Sequence, residues 1–134
     1  MTGAGDKLHG LCILVVEDEY LVADVLVQLI KLYGGTVAGP VATEEEALAI
    51  LDETAVDCAL LDVKLADGLC VALAEALAQR GIHVTLTTGY SISGIPEELR
   101  HLPIFTKPID LGALVEHLAN CRRSIGGRDI WTIA

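Results

Sequence analysis

Five polar side chains sit where apolar runs end in this chain of 134 residues. Glu17 and Asp18 follow "LCILVV", Asp62 follows "CALL", Thr88 closes "IHVTLTT" and Lys107 follows "PIFT". An ionised carboxylate beside apolar residues is unfavourable unless something shares its charge, so Asp62 in "VDCALLDVKLADG" requires partners. If folding gathers these ends, Glu17, Asp18 and Asp62 repel one another, which calls for a divalent cation or a raised pKa. Oxygen-only ligands with open water positions suit Mg²⁺. Lys107 can offset charge or grip an anion, and Thr88 supplies a hydroxyl donor. Metal, carboxylate nucleophile, lysine and hydroxyl are the parts of a phosphoryl-transfer site, where charge on the phosphoryl oxygens must be neutralised around an in-line attack.

The elements that must position these residues follow from periodicity. "LCILVV" reads as a strand buried on both faces, and Tyr20 to Leu32 carries apolar residues at helical spacing until Gly34-Gly35. "TVAGPV" is a second strand; Thr43 with Glu46 forms a capping box for a helix through Leu51. The third strand ends at Asp62 and is closed by the turn signal Asp67-Gly68, and a third helix runs from Leu69 to Gln79. "IHVTLTT" is the fourth strand and "PIFTKP" the fifth. Between them, "GYSISGIPEELRHL" predicts at most a short helix starting near Pro96. The last helix covers Leu111 to Cys121, with Asp110 as its cap and Arg122-Arg123 at its carboxyl end. Strands alternating with helices predict a five-stranded parallel, doubly wound α/β sheet, which places ligands at the carboxyl ends of its strands. Residues 1–9 read as an N-terminal extension, 10–123 as the domain, and 124–134 as a tail containing Trp131 with no output domain after it.

Composition narrows the function classes. A formal net charge of −10 argues against a nucleic-acid surface, which needs clustered Lys and Arg. No apolar run approaches a membrane span and "MTGAGDKLHG" lacks the core of a signal peptide, so a cytoplasmic protein without membrane contact is expected. Cys12, Cys58, Cys70 and Cys121 show no CxxC spacing and read as reduced core residues, with Cys12 and Cys58 on neighbouring strands. His9, His83, His101 and His117 lie at unrelated spacings and receive no metal or relay role. No GxGxxG follows the first strand and no GxxxxGK[ST] occurs, which removes a nucleotide-binding reading.

The acidic pair in "VVEDE", the aspartate in "LLDVKLADG", the threonine in "LTTGY" and the lysine-proline in "FTKP", taken in order, resemble a receiver domain of bacterial two-component response regulators from about Gly10 to Arg123. The resemblance implies a (βα)5 flavodoxin-like fold with a short or irregular fourth helix. It also implies that Asp62 is the phosphoacceptor, that Asp18 binds Mg²⁺ directly, that Glu17 helps mainly through water, and that the backbone carbonyl of Lys64 completes the metal's protein ligands. Lys107 would pair with Asp62 and then with phosphoryl oxygens, Thr88 would swing toward the phosphoryl group, and the bond before Pro108 would be cis. The implied partners are a sensor histidine kinase or a histidine phosphotransfer protein and a downstream protein, with a phosphorylation-dependent homodimer as a further expectation.

Some residues depart from the common pattern of that family. The loop after Asp62 turns early and lacks the usual proline, and Lys64 sits where it would lean over the site and slow or guide attacking water. The position of the family's aromatic switch, three residues before the lysine, is Ile104, with Phe105 next to it; Tyr90 follows Thr88 by two. The favoured reading is a single-domain response regulator that signals by protein contacts or serves as a phosphate sink, and that is an enzyme only toward its own aspartyl phosphate. Two alternatives stand beside it: a pseudo-receiver that binds a partner without phosphorylation, and a Mg²⁺-dependent phosphotransferase. The second lacks the acid-base aspartate such enzymes place near the nucleophile, since Lys64 occupies that position. Taken singly, Glu17 to Glu19 could be a solvated turn with Asp18 capping the first helix.

Overall fold

The computed structural model describes residues 6–65, 67–89 and 94–126; Tyr90, the first five residues and the tail with Trp131 lie outside the described residues. The apolar runs form the centre of the molecule as strands β1 (Cys12–Val16), β2 (Thr36–Val41), β3 (Cys58–Asp62), β6 (His83–Thr88) and β7 (Ile104–Thr106). They pair in parallel in the order β2-β1-β3-β6-β7. A parallel pair needs a crossover, and α1 (Tyr20–Leu32), α2 (Glu44–Glu53) and α3 (Val71–Gln79) supply three of them, while α4 (Leu111–Gly126) follows the last strand. Among the described residues of the connection from β6 to β7, Glu97–Leu99 form a 3₁₀ turn led by Pro96. The fold is the five-stranded, parallel, doubly wound α/β sheet that the alternation of strands and helices predicts.

Alternation of side chains along the strands divides the core between two faces. Leu14, Val16, Ala59, Leu61, Val84 and Leu86 pack with Ala47 and Leu51 of α2 and Leu73 and Leu77 of α3. Ile13, Val15, Cys58 and Leu60 pack with Leu26 and Ile30 of α1 and Leu114, Leu118 and Cys121 of α4. The β3 strand is buried along its whole length, as a central strand covered on both faces must be. Leu8 is fully buried in the second cluster and its N–H donates to the Tyr33 carbonyl, so this residue of the N-terminal extension is part of the core.

Local chemistry sets the helix ends. The Thr43 hydroxyl accepts from the Glu46 N–H at 3.1 Å, and the Glu46 carboxylate accepts from the Ala42 N–H at 3.1 Å, forming the box that opens α2. Asp110 accepts from the Ala113 N–H at 3.0 Å at the start of α4. Helix α1 stops where Gly34 takes a φ of 88° and donates to the Lys31 carbonyl, a conformation that favours glycine.

Several boundaries differ from the sequence reading. The stretch after Asp62 is a small antiparallel hairpin, β4 (Lys64–Leu65) with β5 (Gly68–Leu69), so α3 begins at Val71 and not at Leu69. This hairpin is tied down by Asp67, whose carboxylate accepts from the Glu44 N–H at 3.1 Å, a bond between segments far apart in sequence. Helix α4 continues past Cys121 to Gly126, so Arg122 and Arg123 lie within it; nothing in "RRSI" breaks a helix before the glycine pair. The first helix is preceded at its N-cap position by Glu19, not Asp18, and no side chain caps it.

Candidate functional site

The carboxyl ends of β1, β3, β6 and β7 converge on a cleft of about 300 Å³ lined by Asp18, Glu19, Asp62, Lys64, Thr88, Gly89 and Lys107. Each strand delivers its last polar residue there because parallel pairing aligns the strand ends: Val16 lies beside Leu61, Asp62 beside Thr87, and Thr88 beside Thr106. Glu17, Asp18, Asp62, Thr88 and Lys107 are therefore neighbours in space although they span ninety positions of sequence. Lys64 joins them through the hairpin that begins β4, its N–H donating to Asp62 Oδ1 at 3.3 Å.

Lys107 is the electrostatic hub. Its Nζ donates to Asp62 Oδ2 at 3.1 Å, to Glu17 Oε2 at 3.2 Å and to Glu19 Oε1 at 2.7 Å. Its backbone N–H donates to the Thr88 carbonyl at 2.8 Å, anchoring the lysine to the neighbouring strand, and the Lys107–Pro108 peptide is cis. The Gly39–Pro40 peptide is cis as well. Burial pulls the Lys107 pKa down, but hydrogen bonds to Glu19 and Asp62 and the charges of Glu17 and Asp62 outweigh it, leaving it above the ordinary lysine value.

The carboxylates show the opposite strain. Glu17, Asp18 and Asp62 each place a carboxylate oxygen within 4.8 Å of the others. Glu17 is buried, and among the described residues Oε1 has no hydrogen-bond partner while Oε2 is held by Lys107 and the Glu19 N–H. Burial first, then the close approach and repulsion of Asp62, push the Glu17 carboxyl up to about 7 against the opposing pull of the Glu19 N–H and Lys107. A buried oxygen without a partner among the described residues, in a three-carboxylate cluster, fits a hard divalent cation, which would supply that partner and relieve the repulsion.

The other residues singled out in the sequence lie further off. Ile104 begins β7 beside Leu86 and packs against the core on the α2/α3 face, whereas Phe105 packs on the α1/α4 face and approaches the His117 ring at 5.5 Å. Two features escaped sequence reasoning. Glu19 belongs to the Lys107 cluster; its only signal was being the third acid of "EDE". His83 and His117 meet edge-on at 5.3 Å, and His117 Nε2 lies 2.9 Å from the Thr85 hydroxyl, a contact that spacing alone could not reveal. The cysteines are free; Cys12 and Cys58 lie on adjacent strands, with Ile13 directly beside Cys58. Among the described residues no helix is long and apolar enough to cross a membrane.

A doubly wound parallel sheet with an acidic cluster and a lysine at the carboxyl edge defines a receiver-type signalling domain. Residues 13–119 match the response regulator receiver domain, and the chain belongs to that family. Receiver domains are in general signalling modules that interact with kinases or phosphotransfer proteins and with downstream proteins. The solution structure of SdrG from Sphingomonas melonis Fr1 is similar at 34% identity and a TM-score of 0.73, covering 87% of this chain and 98% of that one. The BeF3-activated conformation of SdrG, from Pseudomonas melonis Fr1, is 36% identical with a TM-score of 0.71, covering 81% and 92%. The response regulator PhyR from Brucella abortus shares the fold at 24% identity and a TM-score of 0.77; the match covers 92% of this chain but 53% of PhyR. No curated protein matches the chain.

Proposed function

We propose that this protein is a phosphorylatable response regulator, acting in the cytoplasm, in which Asp62 accepts a phosphoryl group from a sensor histidine kinase or a histidine phosphotransfer protein. The observation that carries this reading is the surroundings of Asp62: one oxygen 3.1 Å from Lys107 Nζ, within a carboxylate cluster in which Glu17 Oε1 has no partner among the described residues, in an open cleft. A buried aspartate with no chemistry to do has no use for that arrangement. The similarity to SdrG, whose BeF3-activated conformation has been solved, supports the same reading.

In this reading Asp18 and Asp62, with Glu17 and the Lys64 backbone carbonyl, would hold Mg²⁺. The bound cation supplies charge neutralisation for the incoming phosphoryl oxygens. An Asp62 carboxylate oxygen attacks phosphorus while the donor's P–N bond breaks, the electron pair staying on the donor imidazole. Lys107 meets the negative charge on the phosphoryl oxygens, and the Thr88 hydroxyl donates to them. Hydrolysis returns Asp62 to a carboxylate and releases inorganic phosphate. Lys64, exposed at the cleft mouth, stands over the approach of that water. The phosphorylated form then acts through contacts with a downstream protein, through a homodimer, or as a phosphate sink.

The test is intact mass after incubation with Mg²⁺ and acetyl phosphate. The wild type is expected to gain one phosphoryl group and Asp62→Asn none. Failure of the wild type to gain mass and to bind beryllofluoride would instead identify a pseudo-receiver that works through its surface.

A further inference from the structure

Lys107 has three ammonium donors and no acceptor, and the structure gives it three carboxylate partners. Those partners differ in exposure: the side chain of Glu17 is 1% exposed, that of Asp62 8% and that of Glu19 60%. Withdrawing a donor from a buried carboxylate strands its charge away from water. Withdrawing one from Glu19 returns it to solvent that already covers most of it. Glu19 is therefore the partner that Lys107 can release, although its contact is the shortest of the three at 2.7 Å.

The backbone shows why the Glu19 side chain is available. Glu19 stands at the N-cap position of α1, where a side chain ordinarily accepts a hydrogen bond from the first turn, yet no such bond is made. Its main chain is fixed at both ends: the carbonyl accepts from the Ala23 N–H at 2.9 Å and the N–H donates to Glu17 Oε2 at 3.1 Å. The carboxylate turns from the helix to Lys107, at the mouth of the cleft that a phosphoryl group must enter.

Resting on the reading of Asp62 as phosphoacceptor, we propose that Glu19 is a positioning residue: its carboxylate holds one Lys107 donor away from Asp62 in the unphosphorylated protein, and a phosphoryl oxygen replaces it after transfer. The exchange moves no proton; Lys107 stays an ammonium and trades one anionic oxygen for another. Glu19 thus sets how readily Lys107 reaches the incoming group and biases the protein toward its unphosphorylated state.

Two variants and two measurements test this. Glu19→Gln removes the charge; Glu19→Asp keeps it but is one methylene too short to hold Lys107. Both are expected to be phosphorylated by acetyl phosphate roughly two- to fivefold faster than wild type, the range that loss of an exposed ion pair corresponds to. Both are also expected to speed hydrogen exchange of the Lys107 ammonium, read by ¹⁵N NMR of lysine side chains in the unphosphorylated protein. Wild-type rates in Glu19→Asp with faster rates only in Glu19→Gln would reduce the effect to charge and overturn the proposal. Unchanged phosphorylation in both would overturn it equally. No phosphorylation of the wild type, with faster exchange in both variants, would sink the phosphoacceptor reading while leaving the Glu19 contact standing; unchanged exchange would remove the contact itself.

Discussion

At the scale of single residues, the site is a set of groups that stabilise one another's function at the expense of the fold. Glu17 carries the clearest conflict: it is buried, its Oε1 has no partner among the described residues, and it faces Asp62. Glu17→Gln keeps the shape and removes the repelling charge, so the metal-free protein is expected to gain roughly 1–3 kcal/mol in stability, measured by urea unfolding in the presence of chelator. The same variant is expected to bind Mg²⁺ at least tenfold more weakly by calorimetry, since one ligand-bearing charge is gone. A Glu17→Gln protein less stable than wild type without metal would show that the Lys107 pairing outweighs the repulsion. Glu17, Asp18, Asp62, Thr88 and Lys107 were all legible as candidates because each ends an apolar run. Glu19 was not, because an acid at the end of "EDE" looks the same whether it faces water or a lysine from the far end of the chain.

At the scale of elements, the helix ends decide how firmly the cleft is framed. The α2 start is held twice over, by its own Thr43 and Glu46 box and by Asp67 reaching across from the β4-β5 hairpin. Glu44 in turn accepts from the Leu73 N–H at 2.9 Å, linking α2 to the start of α3. Thr43→Ala removes the cap and is expected to cost about 1 kcal/mol, measured by chemical denaturation, with phosphorylation of Asp62 unchanged because the cap lies outside the cleft. The capping box was readable because its partners are three residues apart, whereas the Asp67 bond was not, because its partners are joined only by packing. The hairpin was missed for a similar reason: "DVKLADG" signals a turn, but strands of two residues leave no periodicity to detect.

At the scale of the whole molecule, the two core faces differ in chemistry. The α2/α3 face is aliphatic, while the α1/α4 face includes the His83, His117, Thr85 and Phe105 cluster between β6, β7 and α4. Burial first, then the proximity of His117, lowers the His83 pKa to about 4, and burial lowers that of His117. The folded state therefore binds fewer protons than the unfolded chain between about pH 6.5 and pH 4. The stability contributed is present above the unfolded pKa and is lost as pH falls through this window. For His83 the loss is expected to be about 2 kcal/mol after allowance for partial exposure, seen as a difference in unfolding free energy between wild type and His83→Leu that changes from pH 7 to pH 4. A difference that stays constant with pH would mean that His83 titrates normally in the folded protein. Sequence by itself determined the order of the helices and of the five sheet strands, their parallel pairing and the polar strand ends, because these rest on periodicities of a few residues and on the rule that parallel strands align their carboxyl ends. Tertiary structure alone decided which charges share Lys107, which glutamate oxygen is left without a partner and which histidines meet. Those contacts join residues up to ninety positions apart, and only the register of packed strands and helices determines them.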